Sequence, residues 1–150
     1  MEVKIKKLTE TAKLPTRGSE YAAGYDLYAD SINIGEKDWT LVIEPGQTAK
    51  IGTGVAVAIP EGYFGGIYAR SGLAIKNGLA PGNCVGVLDA DYRGELIVAL
   101  HNHSNTSQFV HPGDRIAQLI IQPYASFTWD EVEELDDTER GDGGFGSTGV

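Results

Sequence analysis

Leu96-Ile-Val-Ala-Leu-His101 sorts its residues into two series, Leu96, Val98 and Leu100 on one side and Ile97, Ala99 and His101 on the other. Alternation with a period of two marks a strand whose faces meet different surroundings. The same signal recurs on both sides of it. Ala49 to Ile59 is rich in valine and isoleucine and runs into Pro60-Glu-Gly62, a turn. Tyr63 to Arg70 is a further strand, and Arg115 to Tyr124 is a nearly continuous apolar run, as in a strand covered on both faces. Met1 to Leu8 alternates polar and apolar residues and forms a first strand. Glu44-Pro-Gly46, Ala80-Pro-Gly82 and His111-Pro-Gly113 add turns. Only Ser71 to Asn77 fits a short helix, closed by Gly78. Short strands punctuated by Pro-Gly turns predict an all-β jelly-roll-like sandwich or small barrel with one short helix.

The chain has 150 residues, enough for one domain with a real core. Residues 1–130 are expected to form that β domain, and 131–150 an acidic spacer followed by a glycine-rich segment. No apolar run is long enough for a membrane helix, and no N-terminal stretch is expected to serve as a signal or transit peptide. Cys84 is the single cysteine, which rules out an internal disulfide and points to a reducing cytoplasm. Net charge is −9, and Asp130–Glu139 supplies seven acids and no base. Such a chain repels nucleic-acid backbones, but a few convergent arginines and a divalent cation would still let it take one small polyphosphate.

Five segments can carry chemistry. Ala22-Ala-Gly-Tyr-Asp-Leu-Tyr-Ala29 sets Asp26 in a strand. Ala69-Arg-Ser-Gly-Leu-Ala74 brings Arg70, Ser71 and Gly72 to the start of the short helix, where backbone N–H groups favour anions; the plain reading is a serine N-cap. Gly82-Asn-Cys-Val-Gly-Val-Leu-Asp-Ala-Asp-Tyr-Arg-Gly-Glu-Leu96 has the pattern of a β-hairpin with Asp89, Asp91 and Tyr92 near its tip. A carboxylate there can deprotonate a water, and hairpin edges can present backbone donors and acceptors to a base; the plain reading is an Asp-rich turn. Cys84, in the strand arm of this hairpin, is expected to be a small buried hydrophobe. Gly113-Asp-Arg-Ile-Ala-Gln118 opens the long apolar strand with a charged pair that could simply be an Asp114–Arg115 salt bridge.

Arg140-Gly-Asp-Gly-Gly-Phe-Gly-Ser-Thr-Gly-Val150 is the fifth segment. Five of its eleven residues are glycine. Arg140 is a fork suited to phosphate oxygens and Phe145 a face for a base to stack on. Gly146 lets the backbone close, and Ser147 and Thr148 add hydroxyls. The strip has the parts of a lid over a nucleotide, though glycine-rich termini are commonly plain tails. His101 and His103 share a strand side without a third metal ligand. Neither a Gly-x-x-x-x-Gly-Lys-Ser/Thr loop nor a Gly-x-Ser-x-Gly elbow is present.

In order and spacing, the five segments AAGYDLYA (22–29), ARSGLA (69–74), GNCVGVLDADYRGE (82–95), GDRIAQL (113–119) and RGDGGFGSTG (140–149) resemble the five motifs of the trimeric deoxyuridine triphosphatases, the dUTPases. The resemblance spans nearly the whole chain. It implies a β-clip jelly roll, assembled as a homotrimer with shared active sites and exchanged C-terminal tails. It also implies Mg²⁺-dependent hydrolysis of dUTP to dUMP and pyrophosphate, supplying dUMP for thymidylate synthesis and limiting uracil in DNA. Carried over by residue, Asp89 activates the attacking water and Tyr92 packs on deoxyribose. Asn83 and Val87 lie on the strand that reads uracil. Arg70, Ser71, Gly72 and Gln118 contact phosphates. Asp26 touches the metal only through its water, the Mg²⁺ being held by the triphosphate. Arg140, Ser147 and Thr148 meet the γ-phosphate, with Phe145 and Gly146 over the base. The second motif has Ala69 where proline is frequent, and Asp142 adds a negative charge expected to point outward. Residues 33–39 receive no role. Two rivals share the fold: a dCTP deaminase, alone or bifunctional, which needs a pocket glutamate where this turn offers aspartates, and a non-catalytic nucleotide sensor.

Overall fold

The computed structural model describes residues 1–31 and 39–144. Eleven strands and one helix follow in order: β1 (Lys4–Lys7), β2 (Thr16–Arg17), β3 (Tyr25–Tyr28), β4 (Leu41–Ile43), β5 (Thr48–Ala58), β6 (Tyr63–Tyr68), α1 (Ser71–Asn77), β7 (Leu79–Pro81), β8 (Gly86–Leu88), β9 (Glu95–Asn102), β10 (Gln108–Val110) and β11 (Arg115–Pro123). Each long apolar run of the sequence became a strand, and the one helical stretch became α1. Gly78 ends that helix in the left-handed region at φ 67, its N–H turned back to Ala74 O, a conformation that costs glycine little.

Two sheets hold most of the chain. One runs β1-β5-β9-β7, the other β2-β3-β11-β6-β8, and β10 pairs with β4 in a two-stranded ribbon. Leu96, Val98 and Leu100 of β9 are fully buried while Ile97 faces outward, as their alternation requires. They join Ile51, Val55 and Val57 of β5, Leu27 of β3, and Ile116 and Leu119 of β11 in one core cluster. Burying a side chain of this size is worth about 1.5–3 kcal/mol. The expectation that β11 is covered on both faces holds for its first half only, since Ile120 and Ile121 are partly exposed.

Asn102, at the end of β9, is a polar core residue with no exposure. Its amide donates to Ile43 O and Thr106 O at 2.8 Å each, and its Oδ1 accepts from the Ser104 N–H and hydroxyl. One side chain thereby ties β9, β4 and the 103–107 loop. Asn102→Ala leaves these partners unpaired and is expected to cost about 2–4 kcal/mol in equilibrium denaturation; a loss under about 0.5 kcal/mol would refute the tie.

The 82–95 segment departs from its expected hairpin. β8 pairs with β6 and β9 pairs with β5 and β7, so the two arms lie in different sheets and the acidic turn is a corner between them. Cys84 is not buried: it is exposed in the turn before β8, at φ 62. Trp39, at the end of the segment without an assigned role, is a core residue whose indole N–H donates to Asp30 O at 3.2 Å. Among the described residues no helix is long and apolar enough to cross a membrane.

Candidate active site

The register of the five-stranded sheet puts three motifs side by side. Gln118 of β11 faces Asp26 of β3 on one flank and Tyr68 of β6 on the other. Arg70 follows two residues after Tyr68, so segments far apart in sequence meet at one end of three adjacent strands. A cavity of about 220 Å³ opens there, lined by Asp26, Arg70, Ser71, Gly72, Arg115 and Gln118 among others.

Asp26 organises this cavity. Its side chain is 13% exposed, and its two oxygens are taken separately: Arg70 Nε donates to Oδ1 at 2.7 Å and an Arg115 terminal nitrogen to Oδ2 at 3.1 Å. A second Arg70 nitrogen donates to Arg115 O at 3.3 Å. Each guanidinium carries five N–H donors, so most remain for an anion. Two arginines against one carboxylate leave the cavity positive by one charge. Gln118 Nε2 donates to Ala69 O at 2.8 Å and holds the strand end that presents Arg70. Arg70 itself is the helix N-cap and makes no side-chain capping bond, so Ser71 is not the serine cap of the plain reading. Arg115 was hidden by the sequence. Its neighbour Asp114 instead accepts from the His111 N–H at 2.8 Å, and Arg115 turns to Asp26. The signal available was its position at the first residue of a strand beside a lone strand aspartate.

A second group sits elsewhere. Asn83, Val87, Asp89 and Tyr92 are all exposed, Asn83 in the turn before β8, Val87 on β8, and Asp89 and Tyr92 in the corner that follows. The corner is braced internally: Tyr92 N–H donates to Asp89 O at 3.1 Å, and one Arg93 nitrogen reaches Ala90 O at 2.6 Å and Tyr92 O at 2.8 Å. β8 is an edge strand of the five-stranded sheet, so one row of its backbone groups is free to meet a ligand. None of these four residues lines the Asp26 cavity. β6 and β11 separate β8 from β3. Leu88 registers with Gly65, which lies five residues short of Arg70, about 16 Å along the strand.

Residues 124–144 carry neither strand nor helix. The arm bonds to the body through Tyr124 N–H to Gly62 O at 3.1 Å. Beyond that, Phe127 and Trp129 are 67% and 88% exposed, their rings edge-to-face at 4.9 Å. Arg140 Nε donates to Gly143 O inside the arm, and Asp142 is exposed. Phe145, Gly146, Ser147 and Thr148 lie outside the described residues. His101 and His103 pack edge-to-face at 4.4 Å, with His101 Nδ1 against Thr48 Oγ1 at 2.8 Å.

Among the described residues no three His, Cys, Asp or Glu side chains cluster to hold a metal. With both Asp26 oxygens engaged by arginines, Asp26 is not open as a direct metal ligand, and a cation at this cavity would have to be held mainly by a ligand's phosphates.

The dUTPase family model matches residues 10–149. The deoxyuridine 5'-triphosphate nucleotidohydrolase of Syntrophotalea carbinolica is 47% identical over 98% of this chain and 96% of that protein. That of Oryza sativa subsp. japonica is 49% identical over 99% of this chain and 81% of that protein. A Staphylococcus bacteriophage 80alpha dUTPase solved with dUpNHpp superposes with a TM-score of 0.86 at 32% identity, covering 99% of each chain. A variant dUTPase from phage phi11 of S. aureus, described as coordinating a structural Mg(II) ion, gives 0.78 at 29% identity over 91% of this chain and 100% of that one. With a family match over residues 10–149 and relatives nearly half identical over almost its full length, the chain belongs to the dUTPase family.

Proposed function

We propose that this protein hydrolyses dUTP to dUMP and pyrophosphate, as a cytoplasmic homotrimer in which each active site is completed by neighbouring copies. The reaction supplies dUMP for thymidylate synthesis and keeps uracil out of DNA. Residues 1–130 form the catalytic body, and 131–150 the spacer and lid.

The observation that carries the shared site is the separation of the two residue groups. Asp26, Arg70, Ser71, Gly72 and Gln118 line one cavity at the end of β3, β11 and β6, while Val87 is on the edge strand β8 and Asp89 and Tyr92 are in the corner beyond it, outside that cavity. A nucleotide bridging both groups therefore needs a second copy. The exposed aromatics of the arm support the same assembly. An apolar groove of about 410 Å³, lined by Val3, Ile5, Leu14, Tyr25, Val57 and Ile121, lies open on the body, and exposed apolar patches mark interaction sites. The arm from 124 to 144 can span about 70 Å when extended, ample for crossing to a neighbour.

The chemistry follows from the residues. Uracil lies along the free edge of β8, near Asn83 and Val87, and pairs with backbone groups. Cytosine offers a donor where uracil offers an acceptor, and the unpaired groups it leaves make discrimination steep. Tyr92 packs on the deoxyribose and leaves no space for a 2′-hydroxyl. Asp89 takes a proton from water, which attacks the α-phosphorus; the bond to the bridging oxygen breaks and pyrophosphate leaves. dUTP brings about four negative charges, so positioning and electrostatics supply most of the acceleration. Arg70, Ser71, Gly72 and Gln118 receive the phosphates, with Asp26 fixing the arginine. Mg²⁺ bound to the triphosphate screens charge and polarises phosphate oxygens. Arg140, Ser147 and Thr148 reach the γ-phosphate, and Phe145 stacks on the base as Gly146 lets the lid close and exclude water. The deaminase alternative lacks its glutamate, the corner offering Asp89 and Asp91.

Incubation with each dNTP and Mg²⁺ tests the reaction: pyrophosphate is expected from dUTP alone, its absence would refute the reading, and ammonia from dCTP would favour the deaminase. Sharing is tested by refolding Asp89→Asn chains together with Arg70→Ala chains. Each variant alone is inactive, and the mixture is expected to regain roughly a quarter of wild-type activity, because random assortment in a closed ring rebuilds that share of sites. No recovery from properly assembled mixtures would refute the shared site.

A further inference from the structure

We propose that Gly94 is a specificity-determining positioning residue: its missing side chain is what lets the Tyr92 ring lie in the pose that excludes a ribose. The inference rests on the assignment of Tyr92 to the sugar. Gly94 is half-buried between Arg93 and Glu95. Its backbone does not require glycine, since the described glycines with positive φ are Gly46, Gly54, Gly62, Gly78, Gly113 and Gly141. Its demand is local. A Cβ at this position would stand 2.6 Å from Tyr92 Cζ and 3.0 Å from Cε2, and closer still to the hydroxyl. All three of these nearest atoms belong to one ring, so the space that Gly94 leaves empty is filled by Tyr92. Gly54 differs, because there Ala12 and Asp30 crowd the site and φ is 66.

Two contacts thereby fix the ring. Gly94 is the floor beneath it, and the Tyr92 hydroxyl donates to Glu95 O at 3.0 Å. Glu95 is itself anchored, its carboxylate accepting the Gly54 N–H at 2.8 Å and its backbone in register with Ala56 of β5. The ring that faces the sugar is therefore referenced to the central strands and not to a loose turn. Tyr92 is 42% exposed, so its ring has room to move outward once the floor is raised. An alanine pushes the ring off by about 1 Å to reach ordinary contact and parts the hydroxyl from Glu95 O.

The test is the ratio of kcat/KM for dUTP to that for UTP. Gly94→Ala is expected to lower it about tenfold or more, mainly through a higher KM for dUTP, with trimer assembly and thermal midpoint unchanged. Tyr92→Ala lowers the ratio too, and adding Gly94→Ala to it changes nothing further, because the two act through one ring. Tyr92→Phe keeps the ring, loses the Glu95 bond and gives a smaller fall, a readout independent of how the glycine variant folds. A ratio left intact by Gly94→Ala while Tyr92→Ala lowers it overturns the inference, as does an equal effect of Gly94→Ala in the Tyr92→Ala background. A ratio unchanged by Tyr92→Ala overturns the sugar role and this inference with it, while leaving hydrolysis of dUTP standing.

Discussion

Asp89→Asn abolishes turnover, with kcat falling by about 10²–10⁴ while dUTP still binds. The substitution keeps size and hydrogen-bonding reach and removes only the ability to accept a proton. Asp89 is exposed on its own chain, at the corner where β8 leaves one sheet and β9 enters the other. That exposure is what a base needs if the phosphate cavity comes to it on another copy. The corner is braced by Arg93 and Tyr92, so the variant keeps its shape and the loss is chemical. Single-turnover kinetics beside equilibrium titration with dUTP separates the two effects. A rate near wild type would remove Asp89 from the mechanism, and lost affinity would make it a binding residue.

Deletion of residues 140–150 leaves a folded trimer whose kcat/KM for dUTP falls about 10²-fold or more, since mispositioned phosphates forfeit that much. The strands end at Pro123, and among the described residues of the deleted segment, 140–144, none hydrogen-bonds to the body. On the proposed reading Arg140 adds a cation, because the cavity is positive by only one charge, against about four on the substrate. Circular dichroism and sedimentation check the fold and assembly, and pyrophosphate release checks the rate. A variant that unfolds would make the tail structural, and one that keeps its rate would make it idle.

Much of the architecture was legible because it is written locally. The period-two burial of β9, the Pro-Gly turns and the closure of α1 by Gly78 depend on neighbours in sequence. Pairing partners do not. The Gly82–Leu96 segment looks like a hairpin by every local rule, yet β8 pairs with Gly65, Gly66 and Ile67 of β6, a glycine-rich strand with no distinctive signal. Cys84 followed from the same error, because a residue taken for a strand arm sits in the turn before it. The motif residues Asp26, Arg70 and Gln118 could be picked out singly, but the ion pairs that join Asp26 to Arg70 and Arg115 span 44 and 89 residues. Only the sheet order brings them together, and only then does Arg115 appear beside Arg70.

If the site is shared as proposed, the placement of β11 and β6 between β3 and β8 makes folding and competence separate properties of this protein. A diluted solution of single chains would keep every ladder and core contact while its chemistry faded, because mass action governs the encounter of copies. Cellular abundance would then act as a throttle on nucleotide clearance, steeper than proportional at scarcity and linear once association is complete.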